Sequence, residues 1–250
     1  MERACAQIQT GRGQLMNSKL DILIFGAHAD DAEIGMAGTI AKHAAAGLSI
    51  GICDLTQAEM SSNGTVSIRK SEADHAASVL DLKVRTNLGL PDRGLFVTPE
   101  HIELVTAEIR RFAPSVVFAP YWEDRHPDHV ACSRLVEEAV FNAKLRRYMP
   151  EHSPVKVDEL YFYFINDIGR ADLVVDVTDY YGVKEQALSC YRSQFQKAEE
   201  DAVSTPLTEG YIERVRARDS LLGARRLIPY AEGFACKSPY VVHLFGSKQA

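Results

Sequence analysis

The chain has 250 residues, 46% hydrophobic and 25% charged, the balance of a globular protein large enough to bury a full core. Its formal net charge of −6 argues against nucleic acid as the main partner, because phosphate binding needs a basic face. No apolar run approaches a membrane span, and residues 1–20 lack the apolar core of a signal peptide, so a cytoplasmic setting is expected. The five cysteines, Cys5, Cys53, Cys132, Cys190 and Cys236, are odd in number and form no CxxC pair. They read as reduced core thiols rather than ligands.

Residues 1–15 are expected to be a disordered leader, with Met16 opening one domain that runs to residue 250. A first strand is predicted over 21–27, through Ile22, Leu23, Ile24 and Phe25. The small apolar stretch over 35–46, stopped by Gly47, predicts a helix packed close to the sheet. A second strand over 49–55 leads to a loop over 56–67 rich in serine, asparagine and glycine. Residues 67–80 place apolar and charged residues on opposite faces of a helix. A short strand over 84–88 ends in Gly89-Leu90-Pro91-Asp92. Thr98 and Pro99 form an N-cap followed by a first-turn proline, opening a helix that runs to Phe112. A strand over 115–119 and a helix over 129–144 follow. This βαβα order implies an α/β fold: a doubly wound, mostly parallel sheet flanked by helices, Rossmann-like. The second half is less regular, with strands predicted over 159–165 and 173–177, helices over 180–194 and 210–223, and a polar loop over 199–208.

Two clusters carry the chemistry. His28-Ala29-Asp30-Asp31-Ala32-Glu33 follows the first strand, and His126-Pro127-Asp128-His129 follows the strand over 115–119. Open α/β sheets bind ligands at the carboxyl ends of their strands. One histidine there is ordinary, and paired aspartates can simply cap a helix. Two such placements at separate strand ends are hard to explain by packing. Three protein ligands and a water make a catalytic zinc site, whereas structural zinc more often takes four Cys or His ligands. The expected ligands are His28, Asp31 and His129, holding one Zn2+, with Fe2+ as the alternative. Asp30 then remains unligated and suits a general base. His126 is left on the opposite side of the reacting carbonyl, with Asp128 expected to orient it and raise its basicity. Glu33 reads as a first-turn carboxylate complementing the helix dipole. Trp122 reads either as pocket wall or as core. His43, His75, His101, His152 and His243 belong to no cluster and read as structural.

The stretch from His28 to Thr39, together with His126-Pro127-Asp128-His129, resembles the PIG-L/LmbE-like zinc-dependent N-deacetylases, which act on N-acetylglucosamine-containing substrates. The resemblance extends to Arg69 and Glu72, to residues 87–92, to Ser193-Gln194-Phe195 and to Tyr230-Ala231-Glu232-Gly233-Phe234. It implies metal on His28, Asp31 and His129, with Asp30 as base and a protonated His126 holding the oxyanion. It also implies that Arg69 binds a substrate carboxylate, to which its planar fork is suited; pairing with Glu72 is the plainer reading. The chain is most similar to the bacillithiol-pathway branch, which deacetylates N-acetylglucosaminyl-malate. N-acetylglucosamine and chitooligosaccharides are the alternative substrates. Mycothiol-pathway relatives carry a mobile tyrosine where this chain has Asp124, so Tyr191 or Tyr211 is the candidate replacement.

Other classes fit less well. A nucleotide-binding module needs a glycine-rich phosphate loop after the first strand. A phosphoesterase usually needs a second metal and more carboxylates, and a metal store has no use for Asp30 and His126. The expected partner is a small sugar, with no nucleic acid and no membrane. The aromatic run 161–164, the Tyr180-Tyr181 pair and the loop over 199–208 exceed what a compact core needs, and predict a homo-oligomer, a trimer or hexamer.

Overall fold

The computed structural model describes residues 19–166, 168–197 and 202–239. The expected leader, Cys5, His243 and the start of the 199–208 loop lie outside the described residues. In chain order the elements are β1 (Ile22–Gly26), α1 (Asp31–Ala45), β2 (Ile50–Thr56), α2 (Val66–Val79), β3 (Val84–Leu90), α3 (Pro99–Phe112), β4 (Val116–Pro120) and α4 (Pro127–Ala143). The second half adds β5 (Glu159–Tyr163), β6 (Leu173–Asp176), α5 (Tyr181–Ser189), α6 (Arg192–Phe195), α7 (Tyr211–Ala224) and β7 (Ala231–Ala235).

The strands form one sheet in the order β3-β2-β1-β4-β5-β7-β6. β1 to β5 pair in parallel, while β7 runs antiparallel to both of its neighbours. Side chains alternate across the buried strands. Ile22 and Ile24 of β1 pack with Ile34 of α1, Ala76 of α2 and Leu188 of α5. Leu23 and Phe25 pack on the other face with Ile109 of α3 and Val136 of α4. The chain leaves β1 toward β2 and β3, then returns to place β4 on the other side of β1. The adjacent carboxyl ends of β1 and β4 are therefore a topological switch point, where a crevice opens in such sheets.

Several boundaries differ from the sequence expectation. α1 starts at Asp31, not at Gly35. The first cluster thus forms the opening helical turn rather than a loop before it. α1 can press close to the sheet because it carries glycines: a Cβ on Gly35 would lie 2.2 Å from the Tyr163 ring. The helix expected over 180–194 breaks into α5 and α6, where the Tyr191 hydroxyl reaches back to Glu33. β7 has no counterpart in the sequence expectation, since it contains a glycine and a fully buried glutamate. Phe162, Tyr163 and Phe164 are buried in this chain's own core, and Tyr181 stacks on Tyr230. The aromatics of the second half are thus used up within one chain and give no argument for a trimer or hexamer. No helix among the described residues is long and apolar enough to cross a membrane.

Candidate active site

β1 ends at Gly26, and a few residues later the backbone of Asp30 takes φ 120°, ψ −22°. This conformation is unusual for a residue with a side chain and costs about 1–3 kcal/mol. It turns the chain straight into α1. The Asp31 carboxylate folds back onto the His28 amide, Oδ2 accepting at 2.9 Å, and its Oδ1 lies 3.1 Å from His129 Nε2. His28 Nδ1 is 3.6 Å from Asp31 Oδ2. The two clusters expected from sequence therefore meet across the β1–β4 crevice.

The other ring nitrogen of each histidine is held by a carboxylate. His28 Nε2 lies 3.2 Å from Asp92 Oδ1 and 3.6 Å from Asp128 Oδ2. His129 Nδ1 lies 3.0 Å from Asp124 Oδ1. A ring N–H given to a carboxylate leaves the opposite nitrogen as a lone pair, the usual outer arrangement of a metal-binding histidine. In the neutral form of each ring, which a metal would require, the lone pair then faces Asp31. His28 and His129 thus each bring a ring nitrogen beside one of the two Asp31 oxygens, Oδ2 at 3.6 Å and Oδ1 at 3.1 Å, and imidazole nitrogens with a carboxylate are donor types suited to a divalent transition metal. Among the described residues, the groupings whose ligand atoms lie within 4.8 Å of one another are His28 with His126 and His129, and His28 with Asp92 and Asp128; neither includes Asp31. His126 is a poor ligand because its Nδ1 accepts the Asp128 backbone N–H at 3.2 Å, which leaves a hydrogen on Nε2. Asp92 and Asp128 face the side of His28 that donates.

Sequence reasoning named Asp92, within residues 87–92, and Asp124 but gave neither a role as a histidine partner. The signal was present, since metal-bound histidines need carboxylate partners, but the folding of residues 92 and 124 into the site was not visible. The Asp124 Oδ1 also accepts the His126 N–H at 2.8 Å. Asn166 N–H and its side-chain amide bond the same carboxylate at 3.1 and 3.0 Å.

Asp128 does not orient His126 through its carboxylate. That group accepts from Arg93 N–H and the Arg93 guanidinium at 2.8 and 3.0 Å and faces His28. The imidazole of His126 is held by the backbone instead. Nor is His126 protonated near neutral pH: burial, with positive charge on His129 and His28, lowers it to about 4. It is a neutral Nε2–H donor.

Burial, and then Asp31 and Glu33, raise Asp30 to about 6 against the opposing pull of Arg69 and His28. Asp31 stays well below the usual carboxylate range because His129 and His28 overcome its burial. Burial would depress His129, but Asp31 and Asp124 outweigh it and hold that imidazole at about 9.

Arg69 is 3% exposed. Its guanidinium reaches Asp30 Oδ2 at 3.3 Å and the Ala29 carbonyl, while Glu72 binds Ser193 through its N–H and hydroxyl, both at 2.7 Å. Arg69 and Glu72 therefore take separate partners rather than each other. Arg69 still borders the cleft, which has a volume of about 440 Å³ and also meets Arg93, Arg125, Asn166 and Tyr211. Glu33 is bound at 2.6 Å by Arg85 and at 2.8 Å by the Tyr191 hydroxyl, so it belongs to a buried ion cluster with Asp54 rather than acting only on the helix dipole. Tyr191 is buried away from the cleft, and Tyr211 borders it. Trp122 packs on Tyr121 and Phe162 and does not border the cleft. His43 and His101 bind backbone carbonyls, consistent with structural roles.

The family model described as PIG-L, GlcNAc-PI de-N-acetylase, matches residues 23–140, a span holding both clusters. A conserved protein of known structure from Thermus thermophilus is 39% identical, with a TM-score of 0.83, over 92% of this chain and 99% of its own. The diacetylchitobiose deacetylase of Thermococcus kodakarensis is 27% identical over 243 residues, 91% of this chain and 87% of that protein. The probable N-acetyl-α-D-glucosaminyl L-malate deacetylase 2 of Bacillus subtilis is 28% identical over 189 residues, 70% of this chain and 84% of that protein. Residues 23–140, where the two clusters meet as described, therefore form a PIG-L family domain.

Proposed function

We propose that this protein is a metal-dependent deacetylase of an N-acetylglucosamine conjugate, with one metal, Zn2+ or Fe2+, on His28, Asp31 and His129. The observation that supports this reading is that Asp92 and Asp124 hold the far nitrogens of His28 and His129, while the near ones lie 3.6 and 3.1 Å from the two oxygens of Asp31. When bound, a divalent metal activates water and polarises an amide carbonyl. Asp30 accepts the proton of the attacking water, and its raised pKa of about 6 suits it to return that proton to the leaving amine. His126 Nε2–H donates to the carbonyl oxygen as negative charge develops there. A neutral donor suffices for this, as in other enzymes that keep such a histidine uncharged.

N-acetylglucosaminyl-malate is the substrate we favour. Arg93 and Arg125 border the cleft and suit an anionic aglycone better than a neutral second sugar. Arg69, bound to Asp30, acts on the base rather than on the malate. A cytoplasmic setting belongs to the same reading, supported by the unpaired Cys53, Cys132, Cys190 and Cys236. The test is a free-amine assay with metal-loaded enzyme on N-acetylglucosaminyl-malate, N-acetylglucosamine and diacetylchitobiose. Release of amine fastest from the malate conjugate is expected, and Arg69→Ala should slow the malate conjugate and N-acetylglucosamine about equally. Faster turnover of diacetylchitobiose would move the assignment to that substrate, and no amine from any of them would reject deacetylation.

A further inference from the structure

Behind the site, α1 is broken. Met36 leaves helical geometry at φ −152°, ψ 22°. An unbroken helix would give the Gly38 N–H to the Ile34 carbonyl. Instead the Glu232 carboxylate of β7 takes the N–H groups of Gly38 and Thr39, at 3.0 and 2.6 Å. The Ile34 carbonyl accepts from the Arg218 guanidinium of α7 at 2.7 Å. Charged groups inserted into the helical ladder are a recognised cause of a kink. The inserted pair is itself tied together: Arg218 Nε binds Asp219 Oδ1 at 2.9 Å, and Lys184 Nζ lies 2.7 Å from both Asp219 Oδ2 and Glu232 Oε1. Lys184, Asp219 and Glu232 are 0% exposed. Buried ion clusters of this kind are poor stabilisers compared with apolar packing, so their value lies in fixing geometry.

Arg218 reaches both sides of the metal site. Through Ile34 it holds the short first segment of α1, which carries Asp31. Its other amino group donates to the Phe164 and Ile165 carbonyls, at 3.0 and 2.9 Å. The next residue, Asn166, binds Asp124, which in turn holds His129. We propose that Arg218, locked by Asp219, Lys184 and Glu232, is a positioning residue that sets the spacing between Asp31 and His129. The proposal rests on the metal site described above.

The experiment compares Arg218→Ala and Arg218→Lys with Arg110→Ala. Arg110 is another buried arginine that binds backbone carbonyls, but those of residues 142–152, away from the site. Zn2+ affinity is read by chelator competition on folded protein, alongside kcat, KM and the melting temperature without metal. Arg218→Ala and Arg218→Lys should each bind Zn2+ on the order of 10–100-fold more weakly. Their kcat should fall with KM changed by less than about threefold. Added guanidinium should restore part of the affinity in Arg218→Ala only, since lysine fills the space without matching the fork. Arg110→Ala should lower the melting temperature and keep the Zn2+ affinity. Wild-type affinity in either Arg218 variant, or an equal loss in Arg110→Ala, would overturn the proposal. Should Arg218→Ala fail to fold, Arg218→Lys and Glu232→Gln carry the same two outcomes. A wild-type protein that binds no Zn2+ would overturn the metal-site reading and this proposal together.

Discussion

Residues from β1 through α4 supply every proposed metal ligand and proton-transfer group and the Asp92 and Asp124 carboxylates that hold His28 and His129, whereas residues from β5 onward supply outer braces, Asn166 and Arg218, and part of the cleft wall. The first part is parallel and regular, and its reactive residues stand at strand ends. The second part is partly antiparallel and places buried ions and carbonyl-binding arginines behind the site. Chemistry and outer bracing are thus written in different regions, and they should respond differently to mutation.

The largest expected effect is in the first region. Asp30→Asn should lower kcat by roughly two to four orders of magnitude, the usual worth of a general base, while one metal per chain is retained. Loss of the metal in this variant would mean that Asp30 is a ligand and that the two aspartates exchange roles.

Next comes the pH dependence of the chelated protein. His129 is held at about 9 against an ordinary 6.5, so its folded form binds the proton more tightly than its unfolded form does. Its contribution, on the order of 3 kcal/mol, is present below pH 6.5 and is lost as pH rises to about 9. Zn2+ affinity should run the opposite way and rise over the same window, because the metal needs a neutral imidazole. Urea unfolding in chelator across this range checks the sign, and a flat profile would contradict the His129–Asp31–Asp124 arrangement.

Asp124→Ala should weaken Zn2+ by roughly 10–100-fold, the cost of losing a histidine's carboxylate partner. Asn166→Ala, one step further out and in the second region, should cost less than about tenfold, since Asp124 keeps its bonds to His129 and the His126 N–H. Measured by chelator competition, equal losses in these two variants would erase the gradient along the His129–Asp124–Asn166 line, from which Arg218 differs by also holding the Asp31 side through the Ile34 carbonyl.

The two regions are also unequally legible in the sequence. The parallel half can be read from apolar runs and capping residues, and His28, Asp30, Asp31, His126 and His129 announce themselves by residue type next to strand ends. Asp92 and Asp124 do not, because their roles depend on loops brought together from distant positions. Asp128 is recognisable as part of the site but its partner is not, since a one-dimensional motif does not show that Arg93 and His28, rather than His126, face its carboxylate. β7 escapes because its buried Glu232 is explained only by the broken ladder of α1, at the other end of the chain. Likewise, the break between α5 and α6 follows from Tyr191 and Ser193 reaching Glu33 and Glu72.

The central claim is the identity of the ligands, and anomalous diffraction from Zn2+-loaded crystals tests it most directly. The account predicts one peak per chain, bonded to a nitrogen of His28, an oxygen of Asp31 and Nε2 of His129, with Asp30 and His126 outside the coordination sphere. A peak between His28, Asp92 and Asp128, or one bonded to His126, would contradict it.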